Sequence, residues 1–461
     1  MTKPCTNQAN NLCHCRRNQH GAALMVMLVI MIIGSIAFLV SSLSSSALQI
    51  ERDKKTLAVL AQAKEALIGY AVSVAATGSK RPGDLPCPDT DNDGIPGDVT
   101  YTTCNQQSQR IGRLPWKTLG LPDLRDGSGE RLWYAVSVNF KNSSRTVCTN
   151  SFLTGCLNSD TPGTITVRSP DGNIINDATS GSGVAAVIIA PGDVLQRQGG
   201  SLQDRSSAGI NTASNYMDIA NGIDNASFTD NTTNGFIQGR IKDNSGNVIL
   251  NDQLLVITQD NIMQPIQKRV AAEVKNCLTE YAALPQNQGP SPNQGYYPWA
   301  TYRTVISGFV FYNDSDQLEF GHVPDVPFAQ TCIDTGGSNC YLTQSGGMKN
   351  QWDSAGTCTL TNSNWWANWK ELVFYGFPHN FRPHDLNHNH ACSNGPCLVV
   401  NPPSAAADKS FVVIVAGKEL PGQTRPSNNW SDYLEDGNAN GATPFQQSPL
   451  SATFNDIVVF K

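Results

Sequence analysis

The chain has 461 residues and a formal net charge of −6, with 39 glycines and 26 prolines but only 15% charged residues. There is no excess of basic residues to neutralise phosphates, so nucleic-acid binding is excluded. Many turn-forming residues and a low charge density are typical of an extracellular, β-rich protein, and the length predicts roughly two or three domains.

The first predicted element is a long helix that begins in the apolar segment Gly21–Leu48. No charged residue occurs over Ala22–Ile50, and about 20 apolar residues suffice for a helix to cross a membrane. Arg16 and Arg17 precede the segment, which predicts a cytoplasmic N-terminus with the rest of the chain outside. The pattern continues to Val74 without a proline, so one helix of about 50 residues is expected.

This N-terminal pattern resembles the type IV pilin family. The resemblance implies cleavage by a prepilin peptidase between Gly21 and Ala22, followed by methylation of the new N-terminus. Most pilins carry Glu at the fifth mature position, where this chain has Val26; K-type pseudopilins of type II secretion and some minor pilins also lack that Glu. The departure favours a minor or tip subunit. The alternative is a signal anchor, or a secretory signal cut near Ser45 and Ala47.

Three strands and a second helix are predicted in the remainder of the chain. Aromatic and β-branched residues predict a strand within Arg131–Phe140, and short apolar runs predict strands at Val184–Ala190 and Asp252–Thr258. From Asp260 to Tyr281 apolar residues recur mostly at i, i+4 spacing, which predicts an amphipathic helix.

Segments of the first half recur in the same order in the second half. Tyr216-Met-Asp218 parallels Tyr433-Leu-Glu435, and Val187–Ala190, with Gln198 after it, parallels Val413–Ala416, with Gln423 after it. The other matches are Ala63–Ala71 with Val274–Ala282, Gly83–Cys87 with Gly295–Trp299, Leu132–Tyr134 with Leu372–Phe374, and Asn251–Ile257 with Asn455–Phe460. Such ordered matches predict two tandem modules. One large sandwich with coincidental matches is the alternative.

The predicted fold class is therefore α+β. It comprises a cleaved leader at 1–21, a membrane-spanning helical part at 22–49, and two modules at 50–260 and 261–461. Each module would pack a helix on a mostly antiparallel sheet, which is the pilin plan used twice. The expected localisation is the bacterial inner membrane, with one membrane pass and the bulk in the periplasm, or the cell surface or a pilus after assembly.

Ten of the thirteen cysteines follow the apolar segment. An even number of cysteines beyond such a segment predicts disulfides made in an oxidising compartment. Spacing does not fix their connectivity. Sequence neighbours favour Cys87–Cys104, Cys148–Cys156, Cys332–Cys340 and Cys392–Cys397, which leaves Cys277–Cys358.

A calcium loop is predicted at the run DTDNDG that begins at Asp89. The alternating carboxylates of Asp89, Asp91 and Asp93 can converge on a hard cation, and the glycine permits a sharp bend. Thr100 stands where an EF-hand has its final Glu, so Asp98 is the candidate for the last ligand. The resemblance to tip pseudopilins also implies calcium in the globular part. The alternative is an Asx-turn without metal.

The second half also contains a His-rich and a Trp-rich segment. The residues are His379, His384, His388 and His390, and Trp365, Trp366 and Trp369. Pro383 favours an exposed loop over a helical metal site, and burial of the tryptophans is favoured over sugar or lipid-headgroup binding. The sequence has no Walker loop, no G-x-S-x-G elbow and no H-E-x-x-H motif, so no enzyme is predicted.

These features predict a non-enzymatic minor pilin or pseudopilin at the tip of a type IV pilus or a type II secretion pseudopilus. Its expected partners are other pilins through the N-terminal helix, prepilin peptidase and the inner membrane, with calcium as cofactor. Val26 supplies no carboxylate for a neighbour's N-terminal amine, and an unpaired charge in an apolar core is costly, which favours the tip. The alternative is a membrane-tethered adhesin or ligand-binding protein outside any filament, with an extracytoplasmic hydrolase as a more distant option.

Overall fold

The computed structural model describes most of the chain. The described residues are 20–74, 81–97, 103–141, 156–206, 209–283, 295–306, 309–311, 318–324, 366–382, 391–392 and 396–461. The chain divides into two compact units, Met1–Lys55 and Thr56–Lys461.

Helices in the described residues include one long N-terminal helix and one of intermediate length. They are α1 His20–Ser73, α2 Gln259–Ala283 and α3 Trp366–Trp369. Short 3-10 helices lie at Thr103–Asn105, Gln107–Arg110, Ala178–Ser180, Ala213–Asn215, Lys370–Leu372, His379–Phe381, Trp430–Asp432 and Asp436–Asn440. In the second unit α1 buries Leu60, Ala63, Leu67 and Ala71. Their spacing of three or four residues places them on one face of the helix.

The described strands are short. They are β1 Ile111–Arg113, β2 Trp133–Val136, β3 Val167–Arg168, β4 Ile174–Asn176, β5 Ala186–Ala190, β6 Ile219–Ala220, β7 Ile223–Asp224, β8 Phe236–Ile237, β9 Ile241–Lys242, β10 Val248–Leu250, β11 Gln253–Ile257, β12 Thr304–Ile306, β13 Phe309–Phe311, β14 Phe320–His322, β15 Val373–Gly376, β16 Leu398–Val400, β17 Ser404–Lys409, β18 Val412–Val415 and β19 Ile457–Phe460.

Two antiparallel sheets have four strands each. The first has the order β1-β2-β5-β11 and the second has the order β14-β15-β18-β19. In the first, Val187 lies opposite Ala135 on one side and Val256 on the other. In the second, Val413 lies opposite Tyr375 and Val459. The two sheets therefore share one strand order, with connections of different length.

The main hydrophobic core is shared by the two four-stranded sheets and by α1 and α2. It contains Leu67 of α1, Val270 of α2, Ile188 of β5 and Ile414 of β18. The other face of β5 contributes Val187 to a second cluster. Because β5 is covered on both faces, its sequence is a continuous apolar run rather than an alternating one.

The prediction of a membrane-spanning N-terminal helix is wrong, and with it the predicted fold class. Among the described residues no helix carries an apolar stretch long enough to cross a membrane. The predicted single-pass inner-membrane localisation is therefore wrong too.

The predicted plan of one helix and one mostly antiparallel sheet per module is also wrong. Beside the two four-stranded sheets, the described chain contains five sheets of only two or three strands, such as β16-β17 and β4-β3-β8. The polar, turn-rich connections form these local ladders instead of widening the main sheets, because frequent turn residues end each strand after a few residues. A module boundary at 260/261, and a leader at 1–21, stay predictions.

Candidate functional site

The acidic loop at Asp89 is held by the first sheet. The Asp89 backbone N–H donates to the Arg113 carbonyl at 2.9 Å, and the Arg113 N–H donates back at 2.7 Å. This antiparallel bridge joins Asp89 to the last residue of β1 and fixes where the loop begins. The disulfide between Cys87 and Cys104 closes the segment that contains the loop.

Backbone amides orient the Asp89 carboxylate within its own loop. Oδ1 accepts from Asn92 N at 2.6 Å and Asp91 N at 3.2 Å, and Oδ2 accepts from Gly94 N at 2.7 Å. Gly94 has φ of +88°, and a Cβ there would lie 2.7 Å from the Trp116 ring. Only glycine fits at this position, because any side chain would be strained and would collide with the indole.

Three carboxylates of this loop lie close together. One oxygen from each of Asp89, Asp91 and Asp93 falls within 4.8 Å of the others, with Asp89 buried and the other two exposed. Burial raises the pKa of Asp89, backbone amides oppose the rise, and the neighbouring Asp91 adds to it. The site thus concentrates negative charge at a partly dry position, which a cation would relieve.

The donor set suits a hard cation. Calcium takes about six to eight oxygen ligands, and the three carboxylates supply part of that set. Asp98 lies outside the described residues. The loop is supported from below by Arg131, which donates to the Asn92 carbonyl at 3.0 Å and its side-chain Oδ1 at 2.7 Å.

Disulfides join Cys87 to Cys104 and Cys392 to Cys397. Cys156 and Cys277 are also disulfide-bonded. The other cysteines predicted to pair lie outside the described residues. They are Cys148, Cys332, Cys340 and Cys358.

The remaining candidate residues are scattered. Trp366 and Trp369 are buried in the main core, so they are not available as a surface for a sugar. His379 is exposed, and its Nδ1 lies 2.5 Å from Glu319 Oε1. Gly21 and Ala22 fall in the first turn of α1. Trp365, His384, His388 and His390 lie outside the described residues.

Two pairs of buried carboxyl groups were missed by the sequence reasoning. Asp218 lies next to Asp252, and Glu435 lies next to Asp456. The matched Tyr-x-Asp and Tyr-x-Glu segments contain one member of each pair, Asp218 and Glu435. The pairing of Gln198 with Gln423 was wrong: the glutamine at the equivalent place is Gln203, which contacts Asp218 as Gln423 contacts Glu435.

Comparison of the chain with protein-family models, curated proteins and solved structures finds no match.

Proposed function

We propose that the chain is a non-enzymatic filament subunit of the minor pilin or pseudopilin type, which assembles through the N-terminal part of α1. The observation that carries the proposal is the exposed apolar surface at the start of that helix. The residues of this surface, here called the apolar collar, are Met25, Met27, Leu28, Val29, Ile30, Met31, Ile32 and Ile33.

The apolar collar is exposed on every side of the helix. Met25 and Met27 are exposed by 73% and 72%, and Ile30 and Met31 by 63% and 68%. At about 100° per residue these positions point in different directions around the axis. A single docking partner would cover only one side, so a helix with this pattern needs several neighbours.

A bundle of parallel helices at the centre of a filament supplies such neighbours. Burying apolar surface contributes roughly 25 cal/mol per Å², and exposed apolar patches of this kind mark interaction sites. In the second unit, the same helix packs one face into the main core. The helix is thus apolar on all sides in its first part and on one side in its later part. This pattern supports a subunit whose first helical part packs against similar chains in the bundle, while its folded unit stays outside the bundle core.

The test uses the full chain in cells that make the filament. Met27→Asp should remove the protein from filaments sheared off the cells, because a charge in the apolar bundle would be uncompensated. The matched control is Gln62→Asp, an exposed position on the same helix. Both variants should melt at the wild-type temperature, since neither side chain is in the core.

Equal amounts of both variants in the sheared filaments would overturn the proposal. The same conclusion would follow if the wild-type chain were absent from filaments that form without it. The protein would then be better described as a ligand-binding protein that does not assemble.

We also propose that the loop of Asp89, Asp91 and Asp93 binds calcium. The proposal rests on three carboxylate oxygens within 4.8 Å of one another and on a loop whose glycine cannot be replaced without strain. The ion would stabilise the segment closed by Cys87 and Cys104 and would not take part in a reaction.

A further inference from the structure

Two polar clusters, each mostly buried, have the same construction. Each contains a glutamine, an arginine, a tyrosine, an asparagine and two carboxyl groups. The first cluster consists of Gln203, Arg205, Tyr216, Asp218, Asn225 and Asp252, and the second of Gln423, Arg425, Tyr433, Glu435, Asn438 and Asp456. Asp252 directly precedes β11, and Asp456 directly precedes β19, so each cluster lies where the last strand of its sheet begins.

In the first cluster, Asp252 Oδ2 accepts from Asp218 N and from Asn225 Nδ2, both at 2.9 Å. The side chain of Asp218 accepts from Gln203 Nε2 at 2.9 Å through Oδ1, and from Asn251 N at 2.8 Å through Oδ2. The two carboxyl groups thereby join the connection after β5 to the two residues that precede the last strand.

The second cluster repeats these contacts. Asp456 Oδ2 accepts from Glu435 N at 3.1 Å and from Asn438 Nδ2 at 2.9 Å. Glu435 accepts from Gln423 Nε2 and from Asn455 N, both at 3.0 Å. The longer Glu435 side chain thus replaces Asp218 without loss of a contact.

In each cluster, one carboxyl oxygen has no hydrogen-bond partner among the described residues. Asp252 is fully buried and Asp456 is 2% exposed, yet Oδ1 of each finds no hydrogen-bond partner within the described part of the chain. A buried charged oxygen without a partner is costly. That it occurs at the same atom in both clusters argues that the oxygen is protonated rather than orphaned.

The nearby arginines offset the negative charge of the first pair only in part. Arg205 donates to the carbonyls of Gly192 at 2.7 Å and Asn215 at 3.3 Å, and forms an ion pair with Glu130 at 3.3 Å. Arg197 pairs with Asp224. Each of these arginines therefore already has a carboxylate of its own outside the pair.

The arginines near the second cluster are also paired with other groups. Arg425 donates to the carbonyls of Gly417 at 2.8 Å and Tyr433 at 3.0 Å, and pairs with Asp160 at 3.0 Å. The Tyr433 hydroxyl donates to Glu371 at 3.0 Å. Glu371 forms an ion pair with Arg303. Two negative charges on Glu435 and Asp456 would therefore face each other without a dedicated cation.

We propose that each carboxyl pair, Asp218 with Asp252 and Glu435 with Asp456, holds one shared proton in the folded protein, so that the last strand of each sheet is locked in place by a proton-dependent joint.

The expected titration agrees with this geometry. Burial and the charge of Asp218 raise the pKa of Asp252, and burial raises the pKa of Asp218 to about 6. Burial also raises the pKa of Asp456, and the adjoining Glu435 raises it further through its charge and a carboxyl–carboxyl hydrogen bond. A raised folded-state pKa means that folding takes up protons, so this contribution to stability is complete at acidic pH and is lost as the pH rises through the folded-state pKa.

The test compares urea unfolding of the full chain at acidic and neutral pH. Asp252→Asn and Asp456→Asn each mimic the neutral carboxyl group. Each should leave the unfolding midpoint unchanged in acid and shift it to higher urea at neutral pH, and the double variant should show the sum. Asp171→Asn, at an exposed position, is the matched control and should shift neither. Effects of other titrating groups cancel because each variant is compared with wild type at one pH.

A change of stability by the same amount at both pH values would overturn the proposal, because it would mean that folding takes up no proton at these carboxyl groups. Infrared spectroscopy gives a second readout that does not depend on a folded variant. The wild-type protein at neutral pH should show the C=O stretch of a protonated carboxylic acid, and a spectrum with only carboxylate bands would also refute the shared proton.

Discussion

At the scale of single residues, the spacing of residues along the chain reveals a candidate site only when its members are close in sequence. The D-x-D-x-D-G spacing predicted that Asp89, Asp91 and Asp93 share one loop, because they are only two residues apart along the chain. The carboxyl pairs could not be found in this way: Asp218 and Asp252 are 34 residues apart along the chain, and only the fold brings them together.

Chelation should destabilise the protein if the acidic loop binds calcium. A ligand at a hundredfold excess over its Kd adds about 2.7 kcal/mol to the free energy of unfolding. EDTA should therefore lower the Tm of the wild-type chain. Asp91→Ala should remove this response, whereas Asp243→Ala, which deletes an Asx-turn carboxylate that accepts from Ser245 and Asn247, should retain it. If EDTA does not change the Tm of the wild-type chain, the loop is a turn that binds no calcium.

His322 should make the protein sensitive to acid. Burial lowers the pKa of His322 from 6.5 to about 3, with the charge of Arg303 in the same direction. The unfolded chain binds this proton below about pH 6.5 and the folded chain does not, so stability falls as the pH decreases. The loss should be roughly 2 kcal/mol between pH 6.5 and about pH 5.

The measurement is urea unfolding at these two pH values. His322→Gln should lose less stability on acidification than wild type, and the exposed control His379→Gln should behave as wild type. This dependence is opposite in sign to that of the carboxyl pairs, so the two are separated by comparing variants. An acid response that is unchanged in His322→Gln would contradict the neutral buried imidazole.

At the scale of elements, the end of α1 depends on α2. The last carbonyl groups of a helix lack partners within it. Arg269 of α2 supplies them: its Nη1 donates to the Val72 carbonyl at 2.6 Å and the Val74 carbonyl at 2.8 Å. Its Nε also bonds Glu273 at 2.7 Å, one turn further along α2. A guanidinium at a helix C-terminus also complements the negative end of the helix dipole.

Removing that guanidinium should loosen the end of α1. Arg269→Met keeps the aliphatic stem but loses both donors, and should cost about 1–3 kcal/mol of stability. Hydrogen exchange at the amide of Val74, which bonds the Tyr70 carbonyl, should become faster. Lys268→Met, at the exposed neighbouring position, is the control. Equal effects of the two variants would show that the contact is incidental.

At the scale of the whole molecule, the sequence predicted local elements better than their assembly. Apolar runs located β5 and β11, and the i, i+4 pattern located α2, because each signal lies within a few residues. The membrane-spanning helix was a wrong inference from apolar length. The small ladders and the core shared by both sheets depend on contacts between distant segments, which local periodicity does not encode.

The disulfides should stabilise the folded protein by limiting the freedom of the unfolded chain. In a chain-entropy estimate, the Cys87–Cys104 bridge, with 17 residues of separation, contributes about 3 kcal/mol, and Cys392–Cys397, with a separation of 5, about 2 kcal/mol. Replacing both cysteines of the first bridge by serine should therefore lower stability more than the same replacement in the second.

The pairing itself is checked by alkylating the denatured, unreduced protein and mapping the modified cysteines by mass spectrometry. The six bonded cysteines, Cys87, Cys104, Cys156, Cys277, Cys392 and Cys397, should stay unmodified until a reductant is added. Disulfides persist in oxidising compartments and are reduced in the cytosol, so this result also bears on where the chain folds. Labelling of several of these cysteines before reduction would contradict both the bridges and folding in an oxidising compartment.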